Sequence, residues 1–229
     1  MTTIAANLQS VRERIRLACE ACGRPVTSVT LLAVSKTFGP DSVREAAATG
    51  QRAFGENYIQ EAVEKIALLR ELGLEWHCIG PIQGNKTRLV ATSFDWAHTV
   101  DRLKIAERLS QQRPPEMAPL DVCLQVNIDG SATKSGVAPQ DVLALAREVV
   151  QLPRLRLRGL MTIPEPAASF QAQKAVHAKA KSLFDTLRDA GLSINTLSMG
   201  MTADLEAAIA AGSTMVRVGT AIFGSRSAP

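Results

Sequence analysis

The stretch VTLLAVSKTFGPDSVREAAATGQRAFG, residues 29–55, decides the fold. It begins with a continuous apolar run at 29–35, which has the length and character of a buried strand. Ser42 and Glu45 then form a capping-box pattern that predicts the start of a helix, and Gly50 is expected to end it. The stretch closes on a short second strand. A strand, a helix and a further strand in this order predict a parallel β–α–β unit.

The same alternation continues along the chain up to an eighth apolar run. Further strands are predicted at 75–80, 94–100, 121–127, 155–163, 194–198 and 214–219, with helices at 58–72, 85–92, 102–112, 141–152, 169–190 and 203–211. Successive strands start about 26 residues apart, which is the spacing of a compact βα repeat. Eight such units close a barrel, so we predict an α/β fold, a single (β/α)8 TIM barrel. An open doubly wound sheet is the alternative, but it would carry a glycine-rich fingerprint where this chain has SKTFG.

An extra helix is predicted ahead of the first strand. Apolar residues recur over 3–22 at the three- and four-residue spacing of an amphipathic helix, namely Ile4, Leu8, Val11, Ile15 and Ala18. Gly23 and Pro25 follow as stop signals. No linker or low-complexity segment divides the 229 residues. We therefore expect one domain, in which the N-terminal helix precedes a barrel over 29–224.

The composition excludes several classes of protein. Hydrophobic residues make up 46% of the chain and charged residues 21%, which is typical of a globular protein. The net charge of +4 is spread along the chain, without the basic, aromatic-rich patch that nucleic acid requires. The apolar runs are too short for a bilayer, and arginines occupy the N-terminal region where a secretory signal is apolar. We therefore expect a cytoplasmic protein that binds neither nucleic acid nor membranes.

The cysteines and histidines are candidates for metal or redox chemistry. Cys19 and Cys22 form a C-x-x-C pair, but they end a predicted helix and no second ligand pair follows at zinc spacing. We interpret them as ordinary helix residues. His77 and His98 lie on adjacent predicted strands, without a carboxylate pattern that would complete a metal site. We therefore predict no bound metal, and we expect His77 to pack near the barrel mouth.

Polar and glycine residues concentrate where the predicted strands end, and active sites of such barrels lie at this end. Lys36 ends the first strand on the same face as Leu32 and Val34. An ammonium group above apolar side chains has a lowered pKa, and the neutral amine is the form that makes imines with aldehydes. A lysine that extends from the strand end into solvent is the alternative.

The loops after the last two strands are suited to a phosphate group. Residues 198–202, SMGMT, offer hydroxyl groups, the flexible Gly200 and the start of a helix, and Gly219 and Thr220 add a second such loop. Helix capping and turn formation are the alternative. Arg217 shares a face with Gly219 and needs a buried partner, which a salt bridge or a ring nitrogen would supply. A lysine, phosphate loops and an arginine together describe a pocket for pyridoxal phosphate (PLP).

The sequence resembles the pyridoxal phosphate homeostasis proteins, which are single-barrel relatives of the N-terminal domain of alanine racemase. The matching stretches are LAVSKT (32–37), FGENYIQE (54–61), WHCIG (76–80), QGNK (83–86), GLMTIP (159–164), LSMGM (197–201) and VRVGTAIFG (216–224). They cover the chain in order from the first strand to the end. Each stretch alone is weak, but together they are highly specific.

The resemblance implies a role for each residue of the pocket. Lys36 would hold the cofactor as an internal aldimine, Asn57 would lie beside the ring, and Arg217 would face the pyridine nitrogen. Met161 is expected to line the pocket. The residues that would bind the phosphate are Ser198, Gly200, Gly219 and Thr220. Cys78 stands where the family is expected to have an aromatic residue, and this departure affects packing around the third strand rather than the inferred ligands.

Three functions are compatible with such a barrel: a PLP homeostasis protein, a PLP-dependent amino-acid racemase, and a Schiff-base aldolase without cofactor. A racemase needs two bases, and the resemblance implies that alanine racemases take one of them, a tyrosine, from a second domain. The one tyrosine here, Tyr58, opens a helix beside the ring rather than opposite Lys36. An arginine at the ring nitrogen also weakens the electron sink. We therefore predict buffering or delivery of PLP without committed turnover.

The expected partners follow from this prediction. PLP is the first, and free amino acids and apo forms of PLP-dependent enzymes are further candidates. Because the predicted pocket needs no second copy to complete it, we expect a monomer. Lys86 and Lys134 lie on loops at the cofactor end, where they are either solvated surface lysines or weak attractors of an incoming phosphate.

Overall fold

The computed structural model describes residues 3–131 and 134–224, which form a closed parallel β-barrel with helices around it. The strands are β1 (Thr30–Val34), β2 (Ala53–Glu56), β3 (Glu75–Cys78), β4 (Trp96–Val100), β5 (Leu120–Val126), β6 (Leu155–Thr162), β7 (Thr196–Ser198) and β8 (Met215–Val218). They follow one another around the barrel in chain order, and β8 pairs in parallel with β1 to close it. The predicted TIM barrel is confirmed, and the open doubly wound sheet is wrong.

Helices precede the first strand, connect successive strands and follow the last one. They are α1 (Ile4–Ala21), α2 (Pro40–Ala48), α3 (Ile59–Leu68), α4 (Thr87–Ser93), α5 (Leu103–Gln112), α6 (Val142–Val149), α7 (Phe170–Asp189), α8 (Leu205–Ala210) and α9 (Thr220–Phe223). The predicted extra helix is α1, which Thr3 caps by accepting a hydrogen bond from the Ala6 amide at 3.2 Å. Its apolar stripe, which includes Leu8, Val11 and Ile15, is buried where α1 packs on α2, α8 and α9. The short α9 was not predicted.

The barrel interior is apolar on one side. Leu32 and Val34 of β1 belong to a small interior cluster, whereas Ala33 between them packs in the larger core outside the barrel. This alternation is the one that a strand imposes on successive side chains. A second interior cluster consists of Trp96, Cys123 and Met161. Buried polar side chains also lie in the interior, among them His77 on β3, His98 on β4, Ser198 on β7 and Arg217 on β8.

The start of α2 differs from the prediction. The helix begins at Pro40, two residues before the predicted capping box, and its N-cap is Gly39. Proline suits the first position of a helix because the amide it lacks would have no partner there. Glu45 instead accepts a hydrogen bond from the Ile4 amide at 3.0 Å and so ties α1 to α2. The capping-box prediction at Ser42 is therefore wrong.

The C-x-x-C pair lies at the end of α1. Cys19 is fully buried in the core, and half-buried Cys22 donates from Sγ to the Ala18 carbonyl at 3.0 Å. Both thiols are free and pack as helix residues. Within residues 3–131 and 134–224, no group of three or more His, Cys, Asp and Glu side chains is placed to hold a metal ion. No helix of the same two segments has the length and apolarity to cross a membrane.

Candidate functional site

Lys36 lies in a tight turn just beyond the carboxyl end of β1. The Phe38 amide donates to the Ser35 carbonyl at 3.1 Å and closes the turn. Thr37 has a left-handed φ of 68°, which is uncommon for a residue with a branched side chain. Lys36 itself is half-buried. The amine is therefore carried by a closely specified turn, at the end of the barrel where such folds place their active sites.

The loops that follow β7 and β8 meet at this same end. Thr220 Oγ1 lies 3.3 Å from Thr202 Oγ1, in hydrogen-bonding distance. Gly200 has a φ of 94°, and a Cβ added there would lie 2.5 Å from the Ala208 Cβ, so only glycine fits. A Cβ at Gly219 would lie 3.2 Å from the carbonyl oxygen of Val34 at the end of β1. The two glycine loops therefore adjoin each other and the strand that leads to the lysine turn.

Asp204 holds the first of these loops in place. Its Oδ1 accepts from the Met201 amide at 2.7 Å, and its Oδ2 lies 2.8 Å from His177 Nε2. Burial alone would raise the pKa of Asp204, but the hydrogen bonds from His177 and Met201 outweigh it, so the pKa is lowered. The carboxylate is thus an anchor for the loop backbone. α8 begins at Leu205, two residues later than predicted.

Arg217 is buried, and neutral groups hold its guanidinium. Nη1 donates to Ser198 Oγ and Nη2 to the Thr162 carbonyl, each at 2.8 Å. Burial lowers the pKa of Arg217 to about 10, which still leaves it charged at neutral pH. Within the described ranges no carboxylate forms an ion pair with it. The buried partners of Arg217 are therefore a hydroxyl and a carbonyl group. The structure does not show the salt bridge that was the alternative.

A chain of hydrogen bonds continues from Ser198 across the barrel interior. Ser198 Oγ lies 3.1 Å from His98 Nδ1, His98 Nε2 lies 2.9 Å from His77 Nδ1, and His77 Nε2 lies 2.8 Å from Glu75 Oε1. Both imidazoles are fully buried, whereas the Glu75 side chain is 49% exposed at the amino end of β3. The chain thus runs from the candidate site to the opposite end of the barrel, and His77 lies in the interior.

The groups at the two ends of this series of hydrogen bonds determine which atom carries each proton. Arg217 can only donate, so Ser198 accepts from it and directs its own proton to His98 Nδ1. His98 then carries its proton on Nε2 and donates to His77, which donates from Nε2 to the Glu75 carboxylate. Burial, and then the charge of Arg217, lower the pKa of His98 well below 6.5 and keep it neutral. The hydrogen bond from His77 lowers the pKa of Glu75.

Asn57 and Met161 approach the site from β2 and β6. Oδ1 of Asn57 is buried and has no hydrogen-bond partner among the described residues. The Asn57 backbone is pressed against Gly80, where an added Cβ would lie 2.1 Å from the Asn57 carbonyl oxygen. Met161 is fully buried and pairs in register with Ser198. Because a buried polar atom without a partner is costly, Asn57 fits a site that a ligand completes.

The residues predicted from sequence thus occupy two levels of one end of the barrel. Lys36, Gly200, Gly219 and Thr220 lie on the turns and loops, whereas Met161, Ser198 and Arg217 lie inside the barrel, deeper than the loops. Sequence reasoning missed His98, which was weighed only as a metal ligand. It also missed Glu56 and Lys65, whose pairing has no signal in a single sequence. Cys78 is buried in the core, and burial raises the pKa of its thiol to about 12.

Comparison with known proteins identifies the family. The family described as "Alanine racemase, N-terminal domain" matches residues 6–227, and the chain belongs to it. Within 226 aligned residues the chain is 59% identical to the pyridoxal phosphate homeostasis protein of Pseudomonas aeruginosa, covering 99% of this chain and 97% of that one. It is 54% identical over 229 residues to the protein of the same name from Escherichia coli K12, covering 99% and 98%. The resemblance inferred from the sequence motifs is confirmed.

Solved structures agree with this assignment. PipY of Synechococcus elongatus matches with a TM-score of 0.85 and 38% identity, over 97% of this chain and 100% of that one, and was solved both without and with PLP bound. An alanine racemase of Clostridium difficile matches with a TM-score of 0.73 and 16% identity, over 97% of this chain and 57% of that one. The second likeness shows the fold alone.

Proposed function

We propose that this protein binds PLP at the carboxyl end of its barrel and buffers or delivers it, without committed turnover. The observation that carries the proposal is the buried guanidinium of Arg217, a permanent donor held by neutral partners beside the glycine loops. A ligand with an acceptor on an aromatic ring and a phosphate at its edge suits this arrangement. The names of the relatives in Pseudomonas and Escherichia and the PLP-bound form of PipY support the same conclusion.

The residues at this end would supply contacts for the phosphate and the ring nitrogen of the cofactor. The phosphate would be bound at Gly200 and Gly219, where the backbone can approach an anion closely, with the Thr220 hydroxyl beside them. Arg217 would donate to the ring nitrogen, and Asn57, with its unpartnered oxygen, would lie beside the ring. Met161 would line the pocket from below. For Ser198, the resemblance implies a phosphate contact, whereas its hydroxyl is bonded to Arg217 and His98.

Bound PLP supplies an aldehyde, which condenses with a primary amine to form a C=N bond and release one water. The protein contributes the amine of Lys36, placed by the turn at the end of β1. Arg217 keeps its own proton, because even its lowered pKa of about 10 lies far above that of a pyridine nitrogen. Arg217 would therefore donate a hydrogen bond to the ring nitrogen without protonating it, and the cofactor would be a weak electron sink. This arrangement favours holding the cofactor over using it.

The racemase alternative needs a second base, and the tyrosine that the sequence offers for this role is poorly placed. Tyr58, the one tyrosine of the chain, is 51% exposed at the N-cap of α3. Removing and returning a proton on opposite faces of an amino acid requires a positioned acid or base on each face. The aldolase alternative would explain a lysine and phosphate loops, but it gives no role to a buried guanidinium. Neither alternative is favoured by a specific contact.

The same proposal covers the setting in which the protein works. All eight candidate residues belong to one chain, so a monomer suffices for the site, and we propose that the chain acts as one domain. Its free thiols suit the reducing cytoplasm, where we propose that it works. Free amino acids and apo forms of PLP-dependent enzymes are the proposed recipients, because both present amines that compete for the aldehyde.

A transfer experiment tests this function. The PLP-loaded protein, freed of unbound PLP, is mixed with an apo PLP-dependent enzyme whose activity reports cofactor received. We expect an absorption band from covalently held PLP that disappears as the recipient becomes active. A protein that retains no PLP, or that releases none to the recipient, would contradict the proposal. A Lys36→Ala variant, treated identically, is the matched control.

A further inference from the structure

The residue before Lys36 is bonded to a buried ion pair from the next βα unit. Ser35 Oγ donates to Glu56 Oε1 at 2.6 Å, and Lys65 Nζ donates to the Ser35 carbonyl at 3.0 Å. Lys65 Nζ also lies 2.7 Å from Glu56 Oε1. Glu56 ends β2 and Lys65 lies on α3, so the turn at the end of β1 is fixed by its neighbour in the barrel.

The residue after Lys36 is bonded to the same group of charges. The Thr37 amide donates to Glu61 Oε1 at 3.1 Å, and Lys65 Nζ lies 3.0 Å from that same oxygen. Lys65 thus connects the carboxylates that hold the two sides of the turn. Thr37 has a left-handed φ of 68°, a conformation that persists in a non-glycine residue only where its surroundings enforce it.

The Glu56–Lys65 ion pair is buried, and its contribution to stability alone does not explain why it is there. The side chains of Glu56 and Lys65 are 0% and 3% exposed, and Glu56 Oε2 has no hydrogen-bond partner among the described residues. Burial raises the pKa of Glu56, against the effect of Lys65. A well-packed apolar pair is often as stabilising as a buried ion pair, so a gain in stability does not by itself account for charges in this position.

We propose that Glu56, Lys65 and Glu61 form a clamp that fixes the backbone on both sides of Lys36 and thereby positions its amine for attachment of PLP. The proposal rests on the proposed function and adds positioning residues to it. The amine of a lysine lies at the end of its side chain, so a shift of the backbone from which the side chain starts displaces the amine as well. A displacement of about 1 Å at a reacting group can slow a reaction about a hundredfold. The geometry of the turn can therefore have a large effect on the rate at which PLP is attached to Lys36.

A charge-balanced double variant separates positioning from stability. Glu56→Gln with Lys65→Met leaves no unpaired buried charge, whereas Lys65→Met alone leaves a lone carboxylate. Leu109→Ala is the control, because Leu109 is buried on α5 and belongs to the core away from the turn. Two readouts are measured on the 229-residue chain. The first is hydrogen exchange of the Phe38 amide before PLP is added, and the second is the rate of covalent PLP attachment at saturating PLP.

We expect the double variant to exchange the Phe38 amide at least about tenfold faster than the wild type and to attach PLP at least about tenfold more slowly. Leu109→Ala should lower the melting temperature and leave both rates unchanged. The clamp is contradicted if the double variant attaches PLP at the wild-type rate, or if Leu109→Ala slows attachment equally. Failure of the proposed function is recognised separately, since the unaltered chain would then attach no PLP.

Discussion

Arg217 and Ser198 are joined inside the barrel, where Nη1 of the arginine donates to Oγ of the serine at 2.8 Å. The bond links β8 to β7 and starts the chain that runs through His98 and His77 to Glu75. Because the arginine can only donate, the serine hydroxyl directs its proton towards His98. The Ser198 hydroxyl is thereby hydrogen-bonded inside the barrel, deeper than the loops that we assign to the phosphate.

Ser198→Ala separates a role beside the ring from a role at the phosphate. The change leaves Arg217 Nη1 and His98 Nδ1 each without a partner, and an unsatisfied buried group costs about 1–3 kcal/mol. We expect weaker binding of PLP and of pyridoxal, which lacks the phosphate, by the same factor. Absorption titrations with the two ligands measure this. A loss confined to PLP would instead assign the hydroxyl to the phosphate.

Gly200→Val should affect the phosphate specifically. The valine would force a left-handed φ of 94° and place its Cβ against Ala208, so the loop backbone has to move away from the anion. Loss of one charged hydrogen bond of about 1.5–3 kcal/mol predicts PLP binding about tenfold to a hundredfold weaker, with pyridoxal binding little changed. Gly191→Val, with a φ of 88° but open space around it, is the control for backbone strain. Equal losses for both ligands would argue against a phosphate site.

His98 should make the stability of the fold depend on pH. Its pKa is lowered in the folded protein by burial and by the charge of Arg217, so below pH 6.5 the unfolded chain binds a proton that the folded one does not. The free energy of unfolding therefore falls as the pH drops below 6.5, by up to about 1.4 kcal/mol per pH unit, and this contribution is fully present above that pH. His98→Asn removes it. Denaturant unfolding between pH 5 and 8 should show a shallower dependence for the variant, and identical slopes would refute the assignment.

The protein should react with amino acids without racemising them. Exchange of an amine at the bound cofactor requires only a neutral amine, so added amino acids should change the absorption spectrum. Racemisation requires a second placed base and a strong electron sink. Tyr58 is exposed at the N-cap of α3, and we propose that Arg217 leaves the ring nitrogen unprotonated. We expect negligible exchange of the α-proton in deuterated water and negligible conversion between enantiomers by chiral chromatography. Turnover of about 1 s⁻¹ or faster would restore the enzyme interpretation.

The barrel could be predicted because its signals are local. Apolar runs of strand length, glycines after helices and a regular spacing of βα units each depend on a few neighbouring residues. The start of α2 was misplaced because Ser42 and Glu45 match a cap by type, while Pro40 already provides a better first residue. Which of two adjacent cap signals is used depends on the packing of α1 against α2, which lies outside the local window.

Sequence reasoning selected candidate residues on the loops and inside the barrel, but it did not predict the hydrogen-bond partners of the interior residues. Lys36, Gly200 and Gly219 follow strands, so strand ends alone locate them. The partners of Arg217 depend on which side chains cross the barrel, and this is set by register between distant strands. The Glu56–Lys65 pair likewise joins β2 to α3 across the turn of β1, and no spacing rule predicts it.

Borohydride reduction of the PLP-loaded protein, followed by peptide mapping, tests the central claim most directly. Reduction fixes a covalent link between the cofactor and an amine, so the modified lysine can be identified by mass. We predict that the peptide containing Lys36 carries the pyridoxyl group and that Lys36→Ala retains no covalently bound cofactor after denaturation. Principal labelling at any other lysine in the wild-type protein would contradict the account.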